Sequence, residues 1–211
     1  CRVNQADSFA LERQIRTVGG HASSPEDADL VIVNSCSVTA AADQGTRQTI
    51  RRVARVNPTA KIVATGCYTT RDMEAVAALP GVVAVVSNEN KDRLVQDLLE
   101  QVELALPTTA NRFGEGDGAC GAMIEPGEAG RTAYTLCVQT GCDESCAYCI
   151  IPSTRGGGRS VPLHRVLTEV EDARGAGYRE LQLTGVHLGS YGRDLNPRSS
   201  LFGLLQALDR Q

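Results

Sequence analysis

Three short β-branched runs, Leu30 to Val33, Lys61 to Ala64 and Val82 to Val86, alternate with helix-like segments and constrain the first half of this chain more than any other feature. Parallel strands need a crossover long enough for a helix, so this alternation predicts a parallel α/β sheet. Ala41 to Val56 reads as a helix ended by Asn57-Pro58, and Asn90 to Leu104 as another with Asn90 at its N-cap. With 42% hydrophobic residues, 4% aromatics and no Trp, the core must rest on Ala, Val, Leu and Ile.

A domain boundary falls after this region. Pro107 to Gly130 is rich in Gly and Thr and lacks any period, as a linker does. The expected division is residues 1–106, a linker at 107–130, and a second domain over 131–211. The second domain opens with a strand-like run, Arg131 to Val138. A helix at Pro162 to Ala173, a strand at Glu180 to Leu183, a Gly-rich turn from Gly185 to Gly192 and a helix at Leu201 to Leu208 follow. These are two βα units in succession, the start of a partial (β/α) barrel. Such folds carry their chemistry on loops after the C-terminal ends of strands.

One of those loops holds Cys142, Cys146 and Cys149 at C-x3-C-x2-C spacing. Three thiolates this close can bind three irons of a [4Fe–4S] cluster and leave the fourth open to another ligand. The bacterial ferredoxin run adds a fourth Cys, where this chain continues Ile150-Ile151-Pro152, so simple electron transfer is disfavoured. A zinc site completed from a distance, or thiols that bind nothing, are the alternatives. The run resembles the C-x3-C-x-Φ-C signature of radical S-adenosylmethionine (SAM) enzymes. The resemblance implies a [4Fe–4S] cluster whose open iron chelates SAM and whose electron cleaves it to a 5′-deoxyadenosyl radical. It also implies Tyr148 near the adenine and Gly185 on a turn where the backbone approaches SAM.

Cys1, Cys36 and Cys67 are spread through the first domain, the latter two a few residues after predicted strands whose ends converge on one rim. Spacing alone leaves ligation and simple packing of small thiols equally open. The words around them, CRVN, NSCSVT and TGCY, resemble the N-terminal domain of the methylthiotransferase family. That resemblance implies that the three thiols hold a second [4Fe–4S] cluster, where a sulfur species is methylated before transfer.

Cys1 to Ser8, Val138 to Arg155 and Leu183 to Asp194 look most like the branch acting on N6-threonylcarbamoyladenosine at position 37 of tRNA, rather than the isopentenyladenosine or ribosomal-protein branches. The implied reaction uses SAM twice, once as methyl donor to sulfur and once as radical source for attack at C2 of the adenine. The implied partners are a tRNA anticodon loop, a sulfur donor and a reducing electron donor. A net charge of −4 and a pI near 5.4 give tRNA binding no support of their own. The chain begins at Cys1 and stops at Gln211 within a helical pattern, so both ends read as truncated and the chain alone is expected to be inactive. No apolar run approaches membrane length, and eight Cys are too sparse for a disulfide scaffold; a cytoplasmic setting is expected.

One departure concerns Gly156-Gly157-Gly158, where the family commonly carries further positive charge. Either the segment holds phosphate or carboxylate less strongly, or the loop is tolerant. Cys137 reads as packing and Cys120 as incidental. His21, His164 and His187 share no metal spacing, though His187 lies near the presumed SAM turn. Arg47, Arg51 and Arg55 share one helix face with Arg52 beside it, a solvated face in preference to an RNA contact.

Overall fold

The computed structural model describes residues 1–101 and 133–211. The expected linker at 107–130, with Cys120, and the end of the helix expected to reach Leu104 lie outside the described residues. Helix α1 (Arg2–Thr17) opens the chain, followed by β1 (Leu30–Ser35), α2 (Ala40–Val56), β2 (Lys61–Gly66), α3 (Cys67–Arg71), α4 (Met73–Ala77), β3 (Val82–Val86) and α5 (Leu94–Gln101). A 3₁₀ turn, Lys91–Arg93, precedes α5; Asn90 occupies its cap position without a side-chain capping bond. Beyond the gap come β4 (Ala133–Thr140), α6 (Ile151–Arg155), β5 (Arg159–Ser160), α7 (Leu163–Gly175), β6 (Glu180–Gly185) and α8 (Leu201–Asp209). Among the described residues no helix is long and apolar enough to cross a membrane.

The described residues form two compact units, and each draws on both halves of the sequence. One takes Cys1, residues 21–101 and Ser145–Gly156; the other takes Arg2–Gly20, residues 133–144 and Gly157–Gln211. Helix α1, which lies within the sequence range expected for the first domain, thus packs on β4 and β6 in the second unit.

In the first unit the three β-branched runs form the expected parallel sheet, in order β1-β2-β3. The central strand β2 is buried from Ile62 onward, as a parallel strand covered on both faces should be. Ile62, Ala64, Ile50, Val53, Val76 and Tyr68 make an aliphatic core around one aromatic ring. Thr39 caps α2 by accepting from the Ala42 amide. At the other end Asn57, 7% exposed, donates to the carbonyls of Pro25 and Ala28 and accepts from the Ala60 amide. The "stop" residue therefore also fixes the loop that delivers β1.

The second unit is built on a sheet in order β5-β4-β6. Strands β4 and β6 are parallel and joined through α7, which gives the expected βα repeat, while the two-residue β5 is antiparallel to β4. Leu136, Val138, Val166, Val170, Tyr191 and Leu204 fill its core. Arg13 of α1 and Glu169 of α7 both bond the hydroxyl of Tyr134, with Arg13 Nη2 3.4 Å from Glu169 Oε1. Burial first, and the adjacent Glu169 carboxylate second, push the Tyr134 phenol well above its ordinary pKa of 10.0.

Candidate metal and cofactor site

Strand β1 ends at Ser35 and β2 at Gly66, and these two residues are partners in the parallel register. Cys36 and Cys67 are the next residues on each chain, so both thiols leave adjacent strands on the same rim, closer to the strand ends than the sequence pattern predicts. Cys67 is 3% exposed, Cys36 half-buried and Cys1 exposed. Gly66 has φ +99°, and a Cβ there would press on the Ser35 carbonyl oxygen and lie 2.5 Å from its nitrogen. Only glycine lets the two strand ends run this close.

Polar groups converge on this rim. Ser35 Oγ donates to Thr65 O at 2.6 Å and contacts Thr69 Oγ1 at 3.1 Å. Asn88, just beyond β3, donates from Nδ2 to Cys67 Sγ at 3.5 Å and to Thr154 O at 2.7 Å. Three buried oxygens in this neighbourhood of the sequence, Ser37 Oγ, Thr65 Oγ1 and Asn88 Oδ1, have no hydrogen-bond partner. Buried orphans are uncommon in a finished core and mark places where a further group or water belongs. Free thiols beside an amide N–H already aimed at sulfur are the donor set a thiolate-bound cluster needs. Tyr68, 2% exposed, follows Cys67; Arg47 Nη1 donates to its hydroxyl at 2.9 Å and Arg71 lies 5.4 Å from its ring centre. Arg47 therefore serves its own unit, while Arg51, Arg52 and Arg55 remain exposed.

The second loop begins where β4 ends, through Gly141, and carries Cys142, Cys146 and Cys149. The boundary between units passes inside it, so Cys142 counts with one and Cys146 and Cys149 with the other. Tyr148 between them is 92% exposed. The seven described cysteines are all free thiols, and among the described residues no three His, Cys, Asp or Glu side chains come together as a metal-binding group. Cys36, Cys67 and Cys142 thus stand just past strand ends of their own units, and the fit to iron rests on the chemistry of the donors.

Gln139, 1% exposed, organises the start of this loop. Its Nε2 donates to the carbonyls of Thr140 (3.0 Å) and Gly141 (2.8 Å), and its Oε1 accepts from the His187 amide at 2.8 Å. That arrangement sets His187 Nδ1 3.9 Å from Cys142 Sγ. Gly185 pairs with Gln139 in the sheet, and a Cβ on it would stand 2.8 Å from Leu188 Cδ2 and 3.1 Å from Gln139 O. Packing against β4 is thus one reason for a glycine at this turn. Cys137 is half-buried in β4, its thiol donating to Gln139 O at 3.5 Å, as a packed residue would.

Gly157 and Gly158 enclose the carboxylate of Asp143. Gly158 N donates to Asp143 Oδ1 at 3.0 Å, and a Cβ on Gly157 or Gly158 would lie 2.7 or 2.8 Å from its oxygens. These two glycines therefore accommodate an acidic side chain next to Cys142. A cleft of about 170 Å³ adjoins it, lined by Asp143, Glu144, Gly158, His187, Arg193 and Asp194. Burial opposes ionisation of Asp194, but hydrogen bonds from the Ser160 hydroxyl and amide outweigh it and hold the carboxyl below its ordinary pKa.

Sequence reasoning reached the thiols but missed Asn88, Gln139 and Asp143. Each acts through partners far away in sequence or through backbone groups, and no spacing rule reports those.

Residues 1–88 match the model of uncharacterized protein family UPF0004. The chain is 35% identical, over 100% of its length and 46% of the relative's, to a threonylcarbamoyladenosine tRNA methylthiotransferase of Chlamydia pneumoniae. It is 34% identical, over 99% of its length and 48% of the relative's, to a ribosomal protein uS12 methylthiotransferase of a Roseiflexus species. The chain thus spans about half the length of these curated relatives. Among solved structures, a radical S-adenosylmethionine methyltransferase from Kitasatospora setae, with cobalamin and a [4Fe–4S] cluster bound, matches 98% of this chain and 44% of its own. The TM-score is 0.50 at 15% identity, a likeness of fold alone.

Proposed function

We propose that this chain, a homologue of the methylthiotransferases along its whole length with a UPF0004 domain at residues 1–88, is the cluster-binding part of a radical SAM tRNA methylthiotransferase. The observation that carries the reading is the placement of Cys36 and Cys67 directly after the paired residues Ser35 and Gly66. A parallel sheet presents two thiols side by side only when both follow strands at one level.

Cys1, Cys36 and Cys67 would hold one [4Fe–4S] cluster and Cys142, Cys146 and Cys149 another, each with three thiolates. When bound, such clusters supply an open iron and a low-potential electron, which can cleave SAM and thereby reach C–H bonds too weakly acidic for a general base at neutral pH. The protein's own contribution is orientation. Gln139 fixes the backbone that leads into Cys142 and, through His187, a ring nitrogen near its sulfur. The cleft beside Asp143 offers carboxylates and the Arg193 guanidinium together, the two charge signs that the amino-acid portion of SAM requires. Exposed Tyr148 is available to cover an adenine.

For the substrate, the relative from Chlamydia pneumoniae and the words at Cys1, Val138 and Leu183 favour N6-threonylcarbamoyladenosine at position 37 of tRNA, converted to its 2-methylthio form. An anticodon-loop base can leave its stack and enter a pocket. The 34% identity to a ribosomal-protein enzyme supports the ribosomal-protein branch as the second reading. Cells lacking the gene decide between them. Mass spectrometry of tRNA nucleosides should show loss of 2-methylthio-N6-threonylcarbamoyladenosine with N6-threonylcarbamoyladenosine accumulating; persistence of the methylthio form rejects the tRNA assignment.

A further inference from the structure

Resting on the reading of Cys67 as a cluster ligand, we infer that Asn88 is a positioning residue for that cluster, donating a hydrogen bond to the coordinating sulfur and tying it to the segment that carries Cys146 and Cys149. Both amide protons of Asn88 are committed: one points to Cys67 Sγ at 3.5 Å, the other to Thr154 O at 2.7 Å. Turning the amide over would set Oδ1 against a carbonyl oxygen and a sulfur lone pair, so the two acceptors fix its orientation. The backbone is held as well. Asn88 N donates to Thr70 Oγ1 at 2.9 Å, and Thr70 Oγ1 donates to Gly66 O at 2.8 Å, next to Cys67 itself.

Thr154, 1% exposed, lies on α6, which packs against α3 within the same unit and follows Cys146 and Cys149 by a few residues. One side chain therefore bridges Cys67 and the segment bearing two ligands of the other set. The arrangement uses both donors and leaves Oδ1 buried without a partner, which is unfavourable for such a group. A residue retained only for packing could avoid that cost. An N–H bond to a ligand sulfur favours the reduced, more negative state of a cluster and so raises its potential.

The test uses the anaerobically reconstituted full chain with both sites loaded, signals being assigned with C67S and C142S. In N88D, near-isosteric but adding a negative charge, and also in N88L, which removes the donor without adding one, the cluster at Cys67 should titrate at least about 59 mV lower, tenfold in its reduction equilibrium for a one-electron couple. The cluster at Cys142 should move by less than half of that. In wild-type protein labelled with ¹⁵N-asparagine, pulsed EPR of the reduced Cys67 cluster should show a weak nitrogen coupling that N88D lacks. Unchanged or equally shifted potentials, or no nitrogen coupling in the wild type, overturn the inference; the wild-type coupling decides if N88D fails to fold. If no iron enters at Cys67 in the wild type, the functional reading itself fails, and that result is distinguishable from the others.

Discussion

Cys36 and Cys67 each stand one residue past a register pair, Ser35 and Gly66, so two neighbouring parallel strands deliver their thiols to one rim. On the proposed reading, Cys1 would join them as one ligand set, and Cys142, Cys146 and Cys149 would be the other. Replacing Cys67 with Ser should reduce bound iron and acid-labile sulfide by about half after reconstitution, since one of two clusters loses a ligand. The visible absorption of the remaining cluster should persist. C142S should give the complementary loss. Iron and sulfide assays with electronic spectra check both, and equal, complete loss in each single variant would contradict two independent sites.

Gly66 makes the rim possible, and the cost of a side chain there is sharp. Its φ of +99° and the close Ser35 backbone act together, so Gly66→Ala must either strain the turn or separate β1 from β2. A loss of about 3 kcal/mol is expected, read as a lowered denaturation midpoint. Iron loading at Cys36 and Cys67 should fall further than loading at Cys142.

Gln139 offers a second stability test, tied to the other loop. Gln139→Leu keeps the volume but removes the partners of Thr140 O, Gly141 O and His187 N. Stranding polar backbone groups in a buried site should cost about 3 kcal/mol, measured by chemical denaturation. Because the same bonds shape the approach to Cys142, the C142-dependent spectrum should broaden or disappear before the fold is lost.

How much of this was legible beforehand follows from which interactions were local. The strands of the first unit were readable because a parallel strand buried on both faces is a near-continuous apolar run, as Ile62 to Ala64 in β2 is. The thiols at their ends followed from that. Helix α1 was not anticipated: its charged sequence shows no conspicuous apolar stripe, and its buried Arg13 is satisfied by Tyr134, 121 residues away. The five-residue helices at Cys67 and Ile151 are too short to be set by propensity, and tertiary contacts decide them. Asn88 was invisible for the same reason, its partners lying 21 and 66 residues distant. At 156–158, read either as missing charge or as a tolerant loop, Gly157 and Gly158 have a positive account once Asp143 is seen against them.

Tyr134 supplies a pH-dependent test of the second unit. Its phenol is held neutral in the fold by burial and by Glu169, so the folded pKa is above the unfolded value of 10.0. The unfolded chain then loses this proton first as pH rises, binding fewer protons than the native state, and stability declines with pH once pH exceeds about 10. Below that the contribution is fully present. Tyr134→Phe removes the hydroxyl between Arg13 and Glu169 but leaves that pair at 3.4 Å, so about 1–2 kcal/mol should be lost at neutral pH. The variant's stability should then fall less steeply than the wild type's above pH 10. Urea midpoints measured from pH 7 to 11 compare the two slopes, and parallel curves would show that Tyr134 ionises as freely in the fold as out of it.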